Sequence, residues 1–225
     1  MQPSAVLFDF GGTLDADGLR WCVRVHSAYR AGGGRLELAE FEPVFRASDR
    51  RLESLPGIRK MGLRDTARAQ AGILKQLVPD GPSLDVERTA ALFCAESAST
   101  AQRNRPLLAE LAARAPLGVV SNFTGNLDHC LAELELREFF RVTLDSALVG
   151  AVKPSPEIFR MALARLGIPV QGVWMVGDNF DADIRPAAEL GFSTCWLAPE
   201  GRPEPAPGIA TARISRLTDL PAVIA

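Results

Sequence analysis

Residues 5–13 read AVLFDFGGT, four apolar residues followed directly by an aspartate, a phenylalanine, two glycines and a threonine. The apolar run has the length and composition of a strand buried on both faces, so Asp9 would stand at its carboxyl end. Glycines let backbone N–H groups approach a ligand closely, and Thr13 adds a hydroxyl. A carboxylate in this setting can act as a nucleophile or a metal ligand. The segment therefore predicts one part of a ligand site at Asp9.

Short apolar runs recur along the chain and predict further buried strands. Together with the first run they occupy residues 5–8, 117–120, 142–144, 173–176, 193–197 and 212–214. Helical periodicity lies between the later runs, at 127–136, 156–166 and 182–190, and a short helix is expected at 217–224. This alternation predicts an α/β fold whose core is a Rossmann-like, mostly parallel sheet flanked by helices.

The first run is separated from the second by about 100 residues that contain helical patterns and no convincing strand. The helical candidates span residues 19–31, 38–55, 63–77, 84–99 and 106–114, with glycine and proline clusters between several of them. We therefore predict an inserted helical domain at 17–102 and a core formed by 1–16 and 103–225. Four large apolar side chains are interpreted as the interior of the insertion: Trp21, Phe41, Phe45 and Met61.

Composition and charge limit the kinds of partner. The 225 residues are 47% hydrophobic and carry a net charge of −2, which gives no electrostatic reason to expect nucleic acid or an anionic membrane. No apolar stretch approaches the ~20 residues that span a bilayer, and no basic segment of a signal peptide precedes the first apolar run. The four cysteines are widely scattered and are expected to be free thiols. The expected location is the cytoplasm.

Polar residues follow several predicted strands at the point where each strand ends. Asp9 follows the first, Ser121 and Asn122 follow the second, and Asp178 follows the fourth, while Lys153 comes shortly after the third. Ligands of open α/β sheets bind beyond the carboxyl ends of the strands. We therefore expect these side chains to converge on one edge of the sheet.

The convergent set is suited to phosphoryl transfer. Asp9 would attack phosphorus and form an aspartyl-phosphate. An anion approaching an anion requires positive charge, which Mg²⁺ held by Asp9 and Asp178 would supply together with Lys153. Hydrogen bonds to the phosphoryl group are expected from Gly12, Thr13, Ser121 and Asn122. The expected partner is thus a small phosphorylated molecule.

Four segments together resemble the four motifs of the haloacid dehalogenase superfamily, and they occur in that superfamily's order. They are 9–13, Ser121-Asn122, Lys153-Pro154 and 177–183. The resemblance covers nearly the whole chain and implies a Rossmann-like core with a C1-type helical cap at 17–102. It also implies a Mg²⁺-dependent hydrolase in which Asp9, Ser121 and Lys153 are catalytic.

The resemblance adds roles at four further positions. The metal would be bound by Asp9, by Asp178 and by the backbone carbonyl of Gly11. Asp183 would orient Lys153 or a metal-bound water, and Asn179 would assist from outside the direct ligands.

Gly11 departs from the motif, because phosphatases of the superfamily usually carry a second aspartate there. That aspartate protonates the leaving group and then activates water, and such help is typically worth ~10²–10⁴ in rate. One hypothesis is a phosphatase for leaving groups of low pKa, such as acyl or aryl phosphates. Another is that Asp15 or Asp17 replaces the missing acid.

Different chemistry on the same core is also open. A phosphonatase-like C–P hydrolase needs a cap lysine that does not follow Met61-Gly62 here, and a dehalogenase-like C–halogen hydrolase does not need Asp178. A catalytically impaired phosphate- or metal-binding protein is a further alternative. Three basic residues of the insertion are either a solvated face or contacts to an anionic substrate: Arg59, Lys60 and Arg64. Neither the substrate nor the oligomeric state follows from the sequence.

Overall fold

A computed structural model describes residues 2–224 of the chain and contains a six-stranded parallel sheet. The strands are β1 (Ala5–Phe8), β2 (Leu117–Ser121), β3 (Phe140–Asp145), β4 (Val173–Gly177), β5 (Ser193–Leu197) and β6 (Ala212–Ile214). Their order across the sheet is β3-β2-β1-β4-β5-β6. The predicted parallel α/β fold is confirmed.

The central position of β1 brings three strand ends together. Phe8, the last residue of β1, pairs with Val119 of β2 on one side and with Val176 of β4 on the other. Strand β1 is fully buried, as are β2 and most of β4. The residues that follow β1, β2 and β4 therefore emerge side by side at one edge of the sheet.

Nine α-helices lie within the described residues. They are α1 (Trp21–Ala31), α2 (Leu38–Glu53), α3 (Leu63–Leu77), α4 (Val86–Ala112), α5 (Leu127–Glu133), α6 (Ser146–Val149), α7 (Pro156–Leu166), α8 (Arg185–Glu189) and α9 (Pro221–Ile224).

The central strands β1, β2 and β4 are almost entirely apolar because helices cover both faces of the sheet. Val6 and Phe8 of β1 belong to the cluster that includes Leu108 of α4. Ala5 and Leu7 belong to a second cluster that contains Phe159 of α7. The alternating side chains of one strand thus reach two separate cores.

The predicted elements differ from the structure mainly at their ends. Strand β3 begins two residues earlier than expected, and α5 ends three residues earlier. The helix expected at 182–190 is a π-type turn at Phe180–Ile184 followed by α8, and the one expected at 217–224 is a 3₁₀ turn at Leu217–Asp219 followed by α9.

The segment between β1 and β2 contains α1 to α4 and no strand among the described residues. The prediction of two helices at 84–99 and 106–114 was wrong, because α4 is one continuous helix with Pro106 inside it. Buried Ala101, Asn104 and Leu107 anchor α4 on either side of that proline, and this packing compensates for the lost backbone hydrogen bond. Helix α4 also passes through residue 102, so the division into a core and an inserted cap stays a prediction.

Within residues 2–224, no helix combines the length and apolar composition that crossing a membrane requires.

Candidate active site

The turn after β1 presents Asp9 at the edge of the sheet. Asp9 is 8% exposed, and its backbone N–H donates to Val176 of the neighbouring strand. Gly12 has a φ of 94°, which favours glycine, and a side chain there would begin 2.7 Å from the Asp178 carboxylate. The absence of a side chain at Gly12 lets the turn after β1 approach Asp178, which follows β4, this closely.

Asp9, Ser121 and Lys153 form one hydrogen-bonded group. Asp9 Oδ1 accepts from Ser121 Oγ at 2.9 Å and from Lys153 Nζ at 2.7 Å. Asp9 Oδ2 has no donor among the described residues. The three predicted catalytic side chains are therefore in contact, and one oxygen of the carboxylate remains available.

Lys153 joins Asp9 to Asp183. Its ammonium lies 2.6 Å from Asp183 Oδ1, and Asn179 N–H donates to Asp183 Oδ2 at 3.0 Å. Burial opposes the charge on Lys153, but attraction to Asp183 and Asp9 outweighs it and raises the pKa of the ammonium. Both oxygens of Asp183 are engaged, so its carboxylate holds Lys153 against Asp9.

Asp178 completes a cluster of three buried carboxylates. Asp9, Asp178 and Asp183 each offer an oxygen within 4.8 Å of the others. Burial raises the pKa of Asp178 well above its ordinary range, and the negative charges of Asp9 and Asp183 add to this. Burial also raises the pKa of Asp183 to about 6. One ammonium does not neutralise three carboxylates, so this donor set suits a hard divalent cation.

The remaining predicted site residues surround this cluster. Thr13 Oγ1 lies 3.3 Å from Asp178 Oδ1, and Gly11 lines the same cleft. The side-chain amide of Asn122 bonds to the backbone of Lys153 in both directions, at 2.8 and 2.9 Å. The Asn179 side chain accepts from Ala182 N–H. The amides of Asn122 and Asn179 thus fix the loops that carry Lys153 and Asp183.

Asp15 is occupied within the protein. Its carboxylate lies 2.6 Å from Arg24, and both side chains are fully buried. It also accepts from Gly12 N–H, from Trp21 Nε1 and from Ser97. A carboxylate with these partners holds the turn after β1 against α1 and cannot swing to a leaving group.

Asp17 is engaged as well. It pairs with Arg103 at 2.6 Å and accepts from Leu217 N–H at 3.0 Å, and neither Asp17 nor Asp15 lines the cleft. The hypothesis that Asp15 or Asp17 replaces the missing acid therefore has no support in the geometry.

Trp21 stands where a side chain at position 11 would begin. A Cβ added to Gly11 would lie 3.0 Å from Trp21 Nε1 and 3.2 and 3.3 Å from the neighbouring indole carbons Cδ1 and Cε2. Gly11 itself has φ −73° and ψ 113°, which any residue can adopt. The indole, held by its hydrogen bond to Asp15, thus fills part of the space that the second aspartate of the motif would need.

A cleft of about 320 Å³ extends from the carboxylate cluster toward α1 and α2. Its lining beyond the cluster includes Arg20, Trp21, Cys22, Phe45, Asp49, Leu52, Glu53, Thr66 and Phe123. Trp21 and Phe45, interpreted from the sequence as interior residues, face this cleft. Arg59, Lys60 and Arg64 are not part of its lining. The Arg59 side chain packs against Gly125, and Arg64 pairs with Glu133.

Sequence reasoning missed Asp49 and Glu53. Together with Phe45 they recur every four residues along α2, so they lie on one face of the helix. That spacing was available as a signal, but nothing in the sequence shows that this face turns toward Asp9 rather than toward solvent.

The negative charge of Asp49 destabilises the folded state, because the carboxylate is partly buried. Burial raises its pKa from 3.8 to about 7, and the neighbouring Glu53 adds to this, while a hydrogen bond from Gln70 and the charge of Arg50 oppose it. The folded state therefore holds the proton more tightly than the unfolded chain does. The stability that the protonated Asp49 carboxyl contributes is complete below pH ~4, near the pKa of the unfolded chain, and is lost as pH rises through about 7.

We expect Asp49→Asn to raise the free energy of unfolding at pH 8 by about 1–3 kcal/mol, because asparagine keeps the acceptor for Gln70 and carries no charge. Urea unfolding with EDTA present at pH 4.5, 6 and 8 measures this, with Glu110→Gln on the exposed face of α4 as the control. The gain should grow from pH 4.5 to 8. A gain that is the same at all three values would mean that the charge of Asp49 is not the cause.

Comparison with known proteins agrees with this architecture. A protein-family model described as haloacid dehalogenase-like hydrolase matches residues 3–191. The pyrimidine 5'-nucleotidase YjjG of Escherichia coli (strain K12) is 34% identical over 116 residues, which are 51% of this chain and 52% of that protein. The phosphoserine phosphatase of Thermus thermophilus is 35% identical over 85 residues, 38% of this chain and 34% of that protein.

These matches span about a third to a half of the curated relatives. Among solved structures, a 2-haloacid dehalogenase from Pseudomonas syringae pv. Tomato is 25% identical with a TM-score of 0.56. That alignment covers 100% of this chain and 98% of that one. The relatives thus include both phosphatases and dehalogenases on one fold.

Proposed function

This chain belongs to the haloacid dehalogenase-like hydrolase family, and from that premise we propose that it is a Mg²⁺-dependent phosphatase acting on a small phosphorylated metabolite. Asp9 is the nucleophile, Ser121 and Lys153 bind the phosphoryl group, and Asp178 is the second acid of the metal site. One observation carries the proposal. The Asp178 carboxylate is buried beside Asp9, and burial together with the charges of Asp9 and Asp183 raises its pKa well above the ordinary range despite the opposing charge of Lys153.

The donor set fits a magnesium ion. Oxygen ligands from Asp9, Asp178 and the Gly11 carbonyl would hold it, while Asp183 stays on Lys153. When bound, the ion would supply the positive charge that lets a phosphate dianion approach two carboxylates. The dehalogenase alternative gives the buried Asp178 no role, because a 2-haloacid carries its negative charge away from the carbon that Asp9 would attack, whereas a phosphate ester carries it on the group under attack.

The first chemical step uses the free oxygen of Asp9. Oδ2 attacks phosphorus while Lys153 and Ser121 hold Oδ1, and the bond from phosphorus to the leaving oxygen breaks with its electron pair on that oxygen. Lys153 also stands beside the developing negative charge of the phosphoryl oxygens. Water then attacks the phosphorus of the aspartyl-phosphate and the bond from phosphorus to Asp9 Oδ2 breaks, which restores the carboxylate. The released phosphate keeps the hydroxyl of that water, and the second proton passes to solvent.

Proton transfer is the step for which the site is poorly equipped. Position 11 has no side chain, Trp21 packs against it, and Asp15 is held by Arg24. A leaving group that departs as a stable anion does not need a proton donor. We therefore propose that aryl, enol or acyl phosphates are better substrates than simple alkyl phosphates.

The proposal is tested by assaying two reactions in parallel. Phosphate release from p-nitrophenyl phosphate and acetyl phosphate is measured with Mg²⁺ and with EDTA, and halide release from a panel of 2-haloacids is measured under the same conditions. We expect phosphate release that depends on Mg²⁺ and no halide. Halide release without phosphate release would establish the dehalogenase alternative, and binding of Mg²⁺ and phosphate with no turnover would indicate an impaired enzyme.

Gly11→Asp should shift the preference among leaving groups. We expect kcat/KM for alkyl phosphates to rise about tenfold relative to aryl phosphates, because a proton donor helps a poor leaving group most. The gain is set below the usual ~10²–10⁴ for such help because the Trp21 indole must first yield a few tenths of an ångström. Gly11→Asn is the matched control, with the same shape and no proton to give. Equal gains in both variants, or on both substrate classes, would contradict the prediction.

A further inference from the structure

The wall of the cleft beyond the carboxylate cluster combines aromatic and acidic side chains. Trp21 and Phe123 are in edge contact, with ring centroids 5.5 Å apart, and Phe45 of α2 lines the same space. Asp49 and Glu53 follow Phe45 at successive four-residue steps on the same helix. A leaving group that extends from Asp9 into this cleft therefore meets aromatic rings and two acids.

Cations in the lining of this cleft, as the structure describes it, are already paired. Lys153 is held between Asp9 and Asp183 at 2.7 and 2.6 Å, and Arg20 lies 3.3 Å from Glu42. A second anionic group on a substrate would meet the negative charges of Asp49 and Glu53, while the Arg20 guanidinium already shares its charge with Glu42. A donor or a cation at that end would find acceptors instead.

The ionised carboxylate of Asp49 is unfavourable for folding because the side chain is partly buried. It is partly enclosed, Gln70 positions it with a hydrogen bond to Oδ1, and burial raises its pKa to about 7. An acid kept in an unfavourable position inside a cleft is a candidate for ligand recognition.

We propose that Asp49 and Glu53 select substrates by charge, so that this site takes phosphate esters with a flat apolar body and an ammonium or amino group at the far end, and rejects those with a carboxylate there. This inference rests on the proposed phosphatase function and specifies its substrate class. Asp49 and Glu53 are binding residues in it and take no part in the chemical step.

Three aryl phosphates that differ only at the far end test the inference at pH 8, where Asp49 is ionised. They are 4-(2-aminoethyl)phenyl phosphate, 4-propylphenyl phosphate and 4-(2-carboxyethyl)phenyl phosphate, whose phenols are of similar acidity. We expect kcat/KM to fall in that order, with the amine at least about tenfold above the carboxylate and the difference lying in KM rather than kcat.

The variant Asp49→Asn/Glu53→Gln should reduce that ratio to within about threefold, while Glu110→Gln, distant from the cleft on α4, should leave it unchanged. Thermal unfolding of each variant verifies that it is folded. Two results would overturn the inference and leave the phosphatase proposal intact. One is equal kcat/KM for the carboxylate-bearing and the amine-bearing phosphate, and the other is an amine-to-carboxylate ratio of kcat/KM that is unchanged in the double variant.

Binding of unreactive analogues shows whether charge selection holds even when the phosphatase proposal fails. Affinities for 4-(aminomethyl)benzylphosphonate and 4-carboxybenzylphosphonate are measured by calorimetry with Mg²⁺ present. If no ester is hydrolysed but the amine phosphonate binds at least about tenfold more tightly, the charge selection holds and the phosphatase proposal fails. Equal affinities would overturn the charge selection irrespective of turnover.

Discussion

Asp9→Asn should abolish Mg²⁺-dependent hydrolysis of p-nitrophenyl phosphate, with kcat reduced by at least ~10³. Asparagine keeps an oxygen for Ser121 and Lys153, so the hydrogen-bonded group around position 9 can persist. What is lost is the second carboxylate oxygen, which attacks phosphorus. The measurement is steady-state turnover, together with mass spectrometry of the protein after brief exposure to substrate. A phosphoryl adduct should be detected on the parent protein and not on the Asp9→Asn variant.

Asp181→Asn is the control for this variant. Asp181 lies in the turn beside the cluster, but it is exposed and pairs with Arg185 at 3.2 Å, so its loss of charge should leave turnover nearly unchanged. An Asp9→Asn variant that retains more than a tenth of the activity would show that the nucleophile is another group. An effect of equal size in both variants would point to general electrostatics rather than to nucleophilic attack.

The position of the candidate catalytic group could be predicted from the sequence because it depends on where the strands end. Each buried strand is a short apolar run that ends at a polar residue, and parallel strands have their carboxyl ends at one edge. Asp9, Ser121 and Asp178 could therefore be placed together before the strand order was known. Lys153 could be placed less directly, since it follows β3 by a loop and α6 that the strand pattern does not describe.

The outer part of the cleft could not be predicted in the same way. Which face of α2 points toward Asp9 depends on how α1 to α4 pack on the sheet, and amphipathic spacing alone gives no direction in space. Trp21 reads as a core residue because it is large and apolar, and only the three-dimensional structure places its indole against Gly11. The residues proposed to select the substrate are thus harder to predict from the sequence than those proposed to do the chemistry.

Asp15 has a structural role that its place in the sequence does not indicate. In the sequence it is a candidate for the missing general acid, four residues after Gly11. In the structure it is the centre of a buried group that joins the turn after β1 to α1 and α4, through Gly12, Trp21, Arg24 and Ser97. This group also explains why Trp21 occupies its position beside Gly11, since the indole N–H is one of its members.

Asp15→Ala should therefore lower the free energy of unfolding by about 3–5 kcal/mol, because it removes the buried carboxylate that the Arg24 guanidinium, 2% exposed, faces at 2.6 Å and leaves the half-exposed Glu96, 3.2 Å away, as its remaining acidic neighbour. Urea unfolding measures the loss. Glu110→Ala, which removes an exposed partner of Arg114, is the control and should cost at most about 1 kcal/mol.

A second variant separates the two roles of Asp15. Asp15→Asn/Arg24→Met removes both charges and keeps much of the volume, so it should lose less stability than Asp15→Ala alone. If Asp15 only supports the turn, this folded variant should retain the preference of the parent protein between aryl and alkyl phosphates, even if both rates fall. A selective collapse of alkyl phosphate hydrolysis would instead identify Asp15 as the proton donor, and the low-pKa leaving-group hypothesis would then lose its physical basis.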